Sequence, residues 1–256
     1  MACAAAFATP CDTPTLGAVA GVQRSHWQEF ADGRSLLRER GTLRTVGLTL
    51  TARCAGIDWR AEWSAGQGSR AYDGITNTQA PLQTTSHLHT QQATLQGWLP
   101  VHEGWALGAQ LAHRTIARDI DSVGVVRGYS ERYRYAQMAA GVRYSVALAA
   151  RWQLSATAWL GGGPQGRVRV QLPGFDTARL PLGNHRMAAL SLELVGGAAP
   201  DERGWSAKAA LSVQHERTAA GSVRTLTRSG VPAGAAMQPR FEQNHWGAQL
   251  QAVKRF

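Results

Sequence analysis

His87 and His89 stand two residues apart in Ser86-His87-Leu88-His89, a spacing that puts both imidazoles on one face of an extended chain, where they could share a metal ion. No cysteine, aspartate or third histidine lies close by in sequence, and a metal site needs more ligands than two, so a pair of solvated histidines fits the ligand count better. Asp73, Asp119, Asp121 and Glu131 fall in stretches rich in turn residues, where carboxylates are ordinarily solvated. One of them acts as a general base only if it positions a water or a reacting hydroxyl. Asp73, Asp119 and Asp121, with His87 and His89, are therefore weak candidates for a catalytic set at a rim of loops. The sequence contains no Gly-x-Ser-x-Gly, no His-Glu-x-x-His, no phosphate-binding loop and no dinucleotide fingerprint. No cofactor or resident metal is expected, and a non-enzymatic role is favoured.

The elements that would carry these residues are strands. Ile57, Trp59, Ala61, Trp63 and Ala65 alternate with Asp58, Arg60, Glu62 and Ser64, and Trp205, Ala207, Ala209, Leu211 and Val213 alternate with Ser206, Lys208, Ala210 and Ser212. Successive side chains of a strand point to opposite faces, so alternation of this length is a strand signal. The same pattern predicts ten strands, at about 17–29, 40–54, 56–70, 85–99, 104–119, 131–148, 151–172, 184–196, 203–218 and 240–256. Gly161-Gly162-Gly163-Pro164 interrupts the seventh, with a bend or bulge expected there before the pattern resumes in phase at Val168 and Val170. Ordinary strands average about 5–6 residues, whereas a strand tilted across a bilayer needs about 9–11.

Composition agrees with this reading. Hydrophobic residues make up 44% of the 256, which excludes a disordered chain, and three cysteines cannot build a disulfide scaffold. No apolar run is long enough for a membrane-spanning helix. The links at 54–56, 100–103, 149–150 and 197–202 are short, while those at 71–84, 120–130, 173–183 and 218–239 are long. Short and long ends in alternation predict an all-β, closed, antiparallel, ten-stranded transmembrane β-barrel with short periplasmic turns and long extracellular loops. Trp59, Trp98, Trp105, Trp152, Trp205 and Phe256 fall near the short-turn end, as an interfacial aromatic girdle would. Trp98 is out of phase with Ala93, Leu95 and Leu99, which leaves a bulge or a lumen-facing ring open there.

The last strand, from Trp246-Gly247 through Leu250 to a terminal Phe256, resembles the carboxy-terminal targeting strand of bacterial outer-membrane β-barrel proteins. That resemblance implies an outer-membrane location and reading of the last strand by the barrel-assembly machinery. Ten strands is also the size of the omptin-type proteases, which hold a water between two Asp on one wall and an Asp-x-His pair on the other. Asp119 and Asp121 are similar to the first pair in spacing, but no Asp-x-His follows: the ninth strand has Gln214-His215-Glu216, with His215 expected to face lipid. The omptin catalytic motif is absent.

Within that architecture Ala6-Phe7-Ala8 reads as a cleavage site, with residues 1–8 the end of a signal peptide, 9–16 a periplasmic segment and 17–256 the barrel. A merely Ala-rich terminus is the other reading. Cys11 and Cys54 would both reach the periplasmic rim, either as a disulfide or as two free thiols. Asp58, Arg60, Glu62, Arg114, Arg143, Arg167, Arg169, Glu193 and Lys208 share the lumen phase, where a salt-bridged network would leave a closed or narrow conduit.

Twenty-seven Lys and Arg against 17 Asp and Glu give a formal charge of +10. No nucleic-acid reading module accompanies this charge. Arg132, Arg134, Arg186 and Arg217, with Arg24 as a further member, fall on the lipid-facing phase near the outer rim. Arg forms bidentate, charge-assisted bonds to phosphate, so lipopolysaccharide is the expected partner of that belt. The function implied is structural, adhesive or porin-like narrow transport, exercised through basic extracellular loops. Two alternatives stay open: a barrel-embedded hydrolase, protease or lipid A-modifying, at the loop rim, and a soluble exported barrel that binds a small ligand.

Overall fold

The computed structural model describes residues 11–76, 80–197 and 204–255. The described residues form β1 (Thr15–Ala31), β2 (Arg34–Cys54), β3 (Ile57–Ile75), β4 (Pro81–His102), β5 (Trp105–Ile120), β6 (Tyr129–Ala149), β7 (Trp152–Gly163), β8 (Arg167–Gln171), β9 (Ala178–Pro181), β10 (His185–Gly197), β11 (Gly204–Thr218), β12 (Arg224–Arg228), β13 (Val231–Ala236) and β14 (Arg240–Arg255). The expected signal-peptide end at 1–8, Cys3 and Phe256 lie outside the described residues.

Every pairing is antiparallel. β1 pairs with β2, and the ladders continue through β3, β4, β5, β6 and β7 to β10, β11 and β14, which pairs back onto β1. Period-two alternation then gives every long strand one inward and one outward face.

Turns at residues 55–56, 103–104 and 150–151 mark one end of the strands, which we term the short-turn end. Ala55 and Gly56 both have positive φ, at 52° and 77°. That is the backbone of a type I′ turn, whose twist matches the strands it joins. The opposite, loop end departs from expectation after β1. Where a longer link was expected, β1 and β2 run on to a second turn of the same kind at Asp32 and Gly33 (φ 50° and 76°). The segments expected as the loops 173–183 and 218–239 carry β9 and the β12–β13 hairpin. Asp176 pins that hairpin by accepting bonds from the Thr227 hydroxyl at 2.6 Å and from the Gly230 and Ser229 amides at 2.9 and 3.1 Å. Those bonds hold its carboxyl below the usual carboxylate range.

The seventh expected strand, 151–172, is two elements. Met138 opposes Gly162 and Arg134 opposes Arg167, so residues 163–166 stand opposite only 135–137. One extra residue reverses which face every later side chain occupies. The reading that the strand resumes in phase is thus corrected: Val168 and Val170 point inward and are buried, and Arg167 and Arg169 point outward. β8 stays beside β6 and takes β9 as its other neighbour, while β7 alone pairs with β10.

The outer face over the short-turn half is apolar. Leu16, Val46, Leu48, Leu50, Leu95, Leu107, Leu111, Leu190, Leu192, Leu211 and Leu250 are all roughly half exposed or more. A belt of this extent on a water-soluble protein would be an aggregation liability; in a bilayer it is the required surface. Trp59, Trp105, Trp152 and Trp205 stand on it near the short turns, with Tyr144 at 4.8 Å from Trp105. Trp98 does not join them. It lies on the inner face, 4% exposed, over Gly108, and meets Trp159 at 4.5 Å, which lies over Gly141. Gly108 and Gly141 oppose one another across β5 and β6, and a Cβ at either would collide with the indole above it.

Candidate functional site

The interior divides into three levels along β5. At the loop end Trp27, Leu43, Leu88, Ile116, Tyr133 and Phe241 are fully buried in one apolar cluster. The lumen therefore holds an apolar cluster beside the expected salt-bridged network. Trp27 stacks on Phe241 at 4.3 Å and meets the edge of Tyr133 at 5.2 Å.

Charged groups pass through and beneath this cluster. Arg118 donates to Glu39 through Nε and Nη2 (2.9 and 2.7 Å) and through Nη1 to Glu29 and Glu131 (3.0 and 2.6 Å). Arg70 donates to Glu39 at 3.3 Å and to Ser25 at 2.5 Å. One turn of the ladder lower, Arg114 pairs with Glu216 at 2.8 Å, and Tyr135 and Gln137 also donate to Glu216. Buried charges persist only where paired and hydrogen-bonded, and these are. Glu131 thus sits inside, not in an extracellular loop as expected, because its position on β6 shares the inward phase of Tyr133 and Tyr135.

The third level is a cavity of about 1260 Å³ at the short-turn end. Asp58, Arg60, Glu62, Arg143, Glu193 and Lys208 line it. Their pairs are Arg143–Asp58 at 3.2 Å, Arg60–Glu62 at 2.7 Å, Arg60–Glu193 at 3.9 Å and Lys208 with Glu193. Of the residues assigned to the lumen, Arg167 and Arg169 are the exceptions, since the extra residue before β8 turns them outward. Cys11 and Cys54 are joined by a disulfide at the mouth of this cavity, tying the start of the described chain to the end of β2.

Outside, near the loop end, arginines face one another. Arg132 opposes Arg169, which opposes Arg179, and Arg134 opposes Arg167. Arg186 opposes Arg217. All are exposed. Like charges directly across a ladder repel. Among the described residues, no ion pair within 4.0 Å relieves Arg132, Arg134, Arg167, Arg169, Arg179 or Arg186; Arg217 has Glu242 at 3.8 Å. Arg24 is exposed on β1, opposite Thr42 and Trp246.

Of the other residues flagged from sequence, Asp73, His87, His89 and Asp119 fall on the outer faces of β3, β4 and β5, and Asp121 directly follows β5. Asp73 opposes Gln83 within the β3–β4 ladder rather than lying in a loop. Asp119 opposes His87, and His87 Nε2 lies 3.1 Å from Asp121 Oδ2. His89 shares the face of His87 but opposes Gln67 and Ala117. Among the described residues no group of three His, Cys, Asp or Glu is placed to hold a metal. His215 is exposed on β11 and bonds Asn244 at 2.7 Å. Sequence reasoning missed Glu29, Glu39, Arg70, Arg118 and Glu216 as one interior network. Their signal was phase, since each alternates with outward residues.

No protein-family model matches the chain, and no curated protein matches it in sequence. Solved structures do. The outer membrane protease OmpT of Escherichia coli aligns over 99% of both chains with a TM-score of 0.56 at 10% identity. The β domain of the Bordetella autotransporter BrkA aligns over 96% of this chain and 100% of its own, with a TM-score of 0.46 at 14% identity. The likeness to OmpT is one of fold. The chain has the fold of a bacterial outer-membrane β-barrel, and it wears the apolar belt that such a membrane requires.

Proposed function

We propose that this outer-membrane β-barrel is a closed, ten-stranded, non-conducting structural barrel that holds lipopolysaccharide through its outward arginine rows. The ring of ladders from β1 to β14 supplies the ten strands, and the short turns are assigned to the periplasm. The observation that carries the reading is the opposition of Arg132 to Arg169, of Arg169 to Arg179 and of Arg134 to Arg167, without an ion pair within 4.0 Å to any of them among the described residues. Such rows are stable where an external polyanion neutralises them. The phosphates of lipopolysaccharide lie at that height, above the apolar belt, and accept the bidentate bonds that guanidinium groups offer. Arg186 and Arg217 extend the surface beyond β7. Narrow transport is disfavoured by the filled interior at the loop end. The soluble, ligand-binding alternative is disfavoured by the exposed belt.

Replacing Arg132, Arg134, Arg167 and Arg169 together with Gln tests this. Charge-assisted bonds contribute about 1.5–3 kcal/mol each when well formed, so even partial loss lowers lipopolysaccharide co-purification by at least about tenfold. The residual binding becomes less sensitive to salt. Unchanged co-purification by the folded variant sinks the proposal.

A further inference from the structure

Ser69 on β3, His87 on β4 and Asp121, which follows β5, meet on the outer face near the loop end. Ser69 Oγ lies 3.0 Å from His87 Nδ1, and His87 Nε2 lies 3.1 Å from Asp121 Oδ2. The ladders produce this arrangement. Ser69 and His87 are directly opposed, and both stand on outward positions flanked by buried inward neighbours, Arg70 in one strand and Ser86 and Leu88 in the other. His87 is in turn opposed to Asp119, two residues before Asp121. The Asp121 backbone is pinned to β4: its amide donates to Thr85 O at 2.9 Å and its carbonyl accepts the Thr84 hydroxyl at 3.1 Å. His87 and Asp121 are each half exposed, so a substrate could reach them from the membrane side.

We propose that Ser69, His87 and Asp121 are the nucleophile, base and orienting acid of an acyl-ester hydrolase that works on lipids of the outer leaflet. A neutral His87 that donates from Nε2 to Asp121 keeps the Nδ1 lone pair free to accept the Ser69 hydroxyl proton. Ser69 Oγ attacks the ester carbonyl carbon while its proton passes to His87 Nδ1. The tetrahedral intermediate collapses, the bond from acyl carbon to alcohol oxygen breaks, and His87 returns the proton to the leaving alkoxide. Water then attacks the acyl-serine, giving its proton to His87. The acyl–Oγ bond breaks, Ser69 recovers the proton, and the fatty acid departs. No redox partner or metal is needed for balance.

Position and charge define the substrate class. Below Ser69 the outward residues of β3 are Gln67, then Ala65 and Trp63; below His87 those of β4 are His89 and Gln91, then Ala93 and Leu95. Ser69 is thus four residues beyond Ala65, about 13 Å along the strand, and on the order of 9 Å in height for a strand tilted near 45°. That is the headgroup layer, next to the esters of an embedded lipid. On the other side of Ser69, Thr42 is its direct partner on β2, with Arg40 and Arg44 two residues to either side on the same face. These place positive charge on the face that carries Ser69, at the level where a phosphorylated headgroup sits. The substrate is therefore an acyl ester of a phosphorylated amphiphile, either a glycerophospholipid or the acylated, phosphorylated glucosamine of lipopolysaccharide.

This site lies on β2 to β5 and does not use the arginine rows of β6, β8 and β9, so it stands or falls independently of the lipopolysaccharide reading. The test uses the full chain refolded in detergent and incubated separately with phosphatidylglycerol vesicles and with purified lipopolysaccharide. Free fatty acid is measured, and a fluorophosphonate probe reports a reactive serine. Wild type is expected to release fatty acid from one or both lipids, which identifies the source, and to label at Ser69. Ser69→Ala abolishes both signals. His87→Ala and Asp121→Asn lower release by about a thousandfold or more, the cost of losing one member of such a set. All three variants retain the heat-dependent gel mobility of a folded barrel, since the residues are on the surface. Absence of release and labelling in wild type overturns the proposal, as does wild-type release by Ser69→Ala.

Discussion

Replacing Arg118 with Ala is expected to destabilise the barrel by about 3–5 kcal/mol, the cost of stripping the partner from buried charges. Arg118 is fully buried and makes four hydrogen bonds to three carboxylates, those of Glu29, Glu39 and Glu131. Without it Glu39 keeps Arg70, while Glu29 and Glu131 keep no cation among the described residues, only the bonds from Trp27 Nε1 and the Tyr133 hydroxyl. The guanidinium also covers the rings of Trp27 and Tyr72 at 5.4 and 5.9 Å. At roughly 2–4 °C per kcal/mol for a domain of this size, the temperature at which the compact gel band is lost should fall by about 6–20 °C. Replacing Arg118 by Met and Glu29 and Glu131 by Gln, with Glu39 kept as the partner of buried Arg70, should recover most of that loss, because every charge left buried then keeps its counter-charge. A midpoint unchanged in Arg118→Ala would show that the network does not hold the interior.

Trp27→Ala should cost a similar amount for a different reason. The indole is fully buried, stacked on Phe241, edge-on to Tyr133, and bonded through Nε1 to Glu29 at 2.9 Å. Truncating a buried aromatic costs about 3–5 kcal/mol, part of it from the void left behind. Here the void opens within the apolar cluster that separates the loop end from the 1260 Å³ cavity. Wild-type protein in planar bilayers is expected to show no steady conductance, whereas Trp27→Ala should show flickering ion passage together with a lowered mobility midpoint. Steady conductance in the wild type would remove the filled interior from the account, and an unshifted midpoint in the variant would remove Trp27 from it.

Much of this molecule is visible in its alternation, and the failures have definite physical sources. Period two marks the long strands because one face meets lipid and the other meets the interior, so Ile57 to Ala65 and Trp205 to Val213 could be placed at once. A single inserted residue is invisible to that pattern when glycines and a proline surround it. The slip at residues 163–166 therefore sent Arg167 and Arg169 to the wrong face, and with them the densest part of the arginine surface. Interior contacts were hidden by distance along the chain: Arg114 and Glu216 are 102 residues apart and Arg118 and Glu39 are 79 apart. Only the register of many ladders brings them together. Ser69 was hidden for the same reason. A serine in an alternating strand has no signature, and His87 becomes its partner only through the β3–β4 pairing. Trp98 was legible halfway, since its phase already disagreed with a place in the girdle; Gly108 and Gly141 supply the flat wall that holds it inside.

The most direct test of the account is the gel mobility of the detergent-refolded chain, unboiled against boiled. A closed barrel with an apolar outer belt and a packed, ion-paired interior stays compact in the detergent and changes mobility only on heating, and it folds only when detergent or lipid is present. A single band at one mobility with and without boiling, from a chain that folds in plain buffer, would contradict the membrane barrel and everything placed on its outer face.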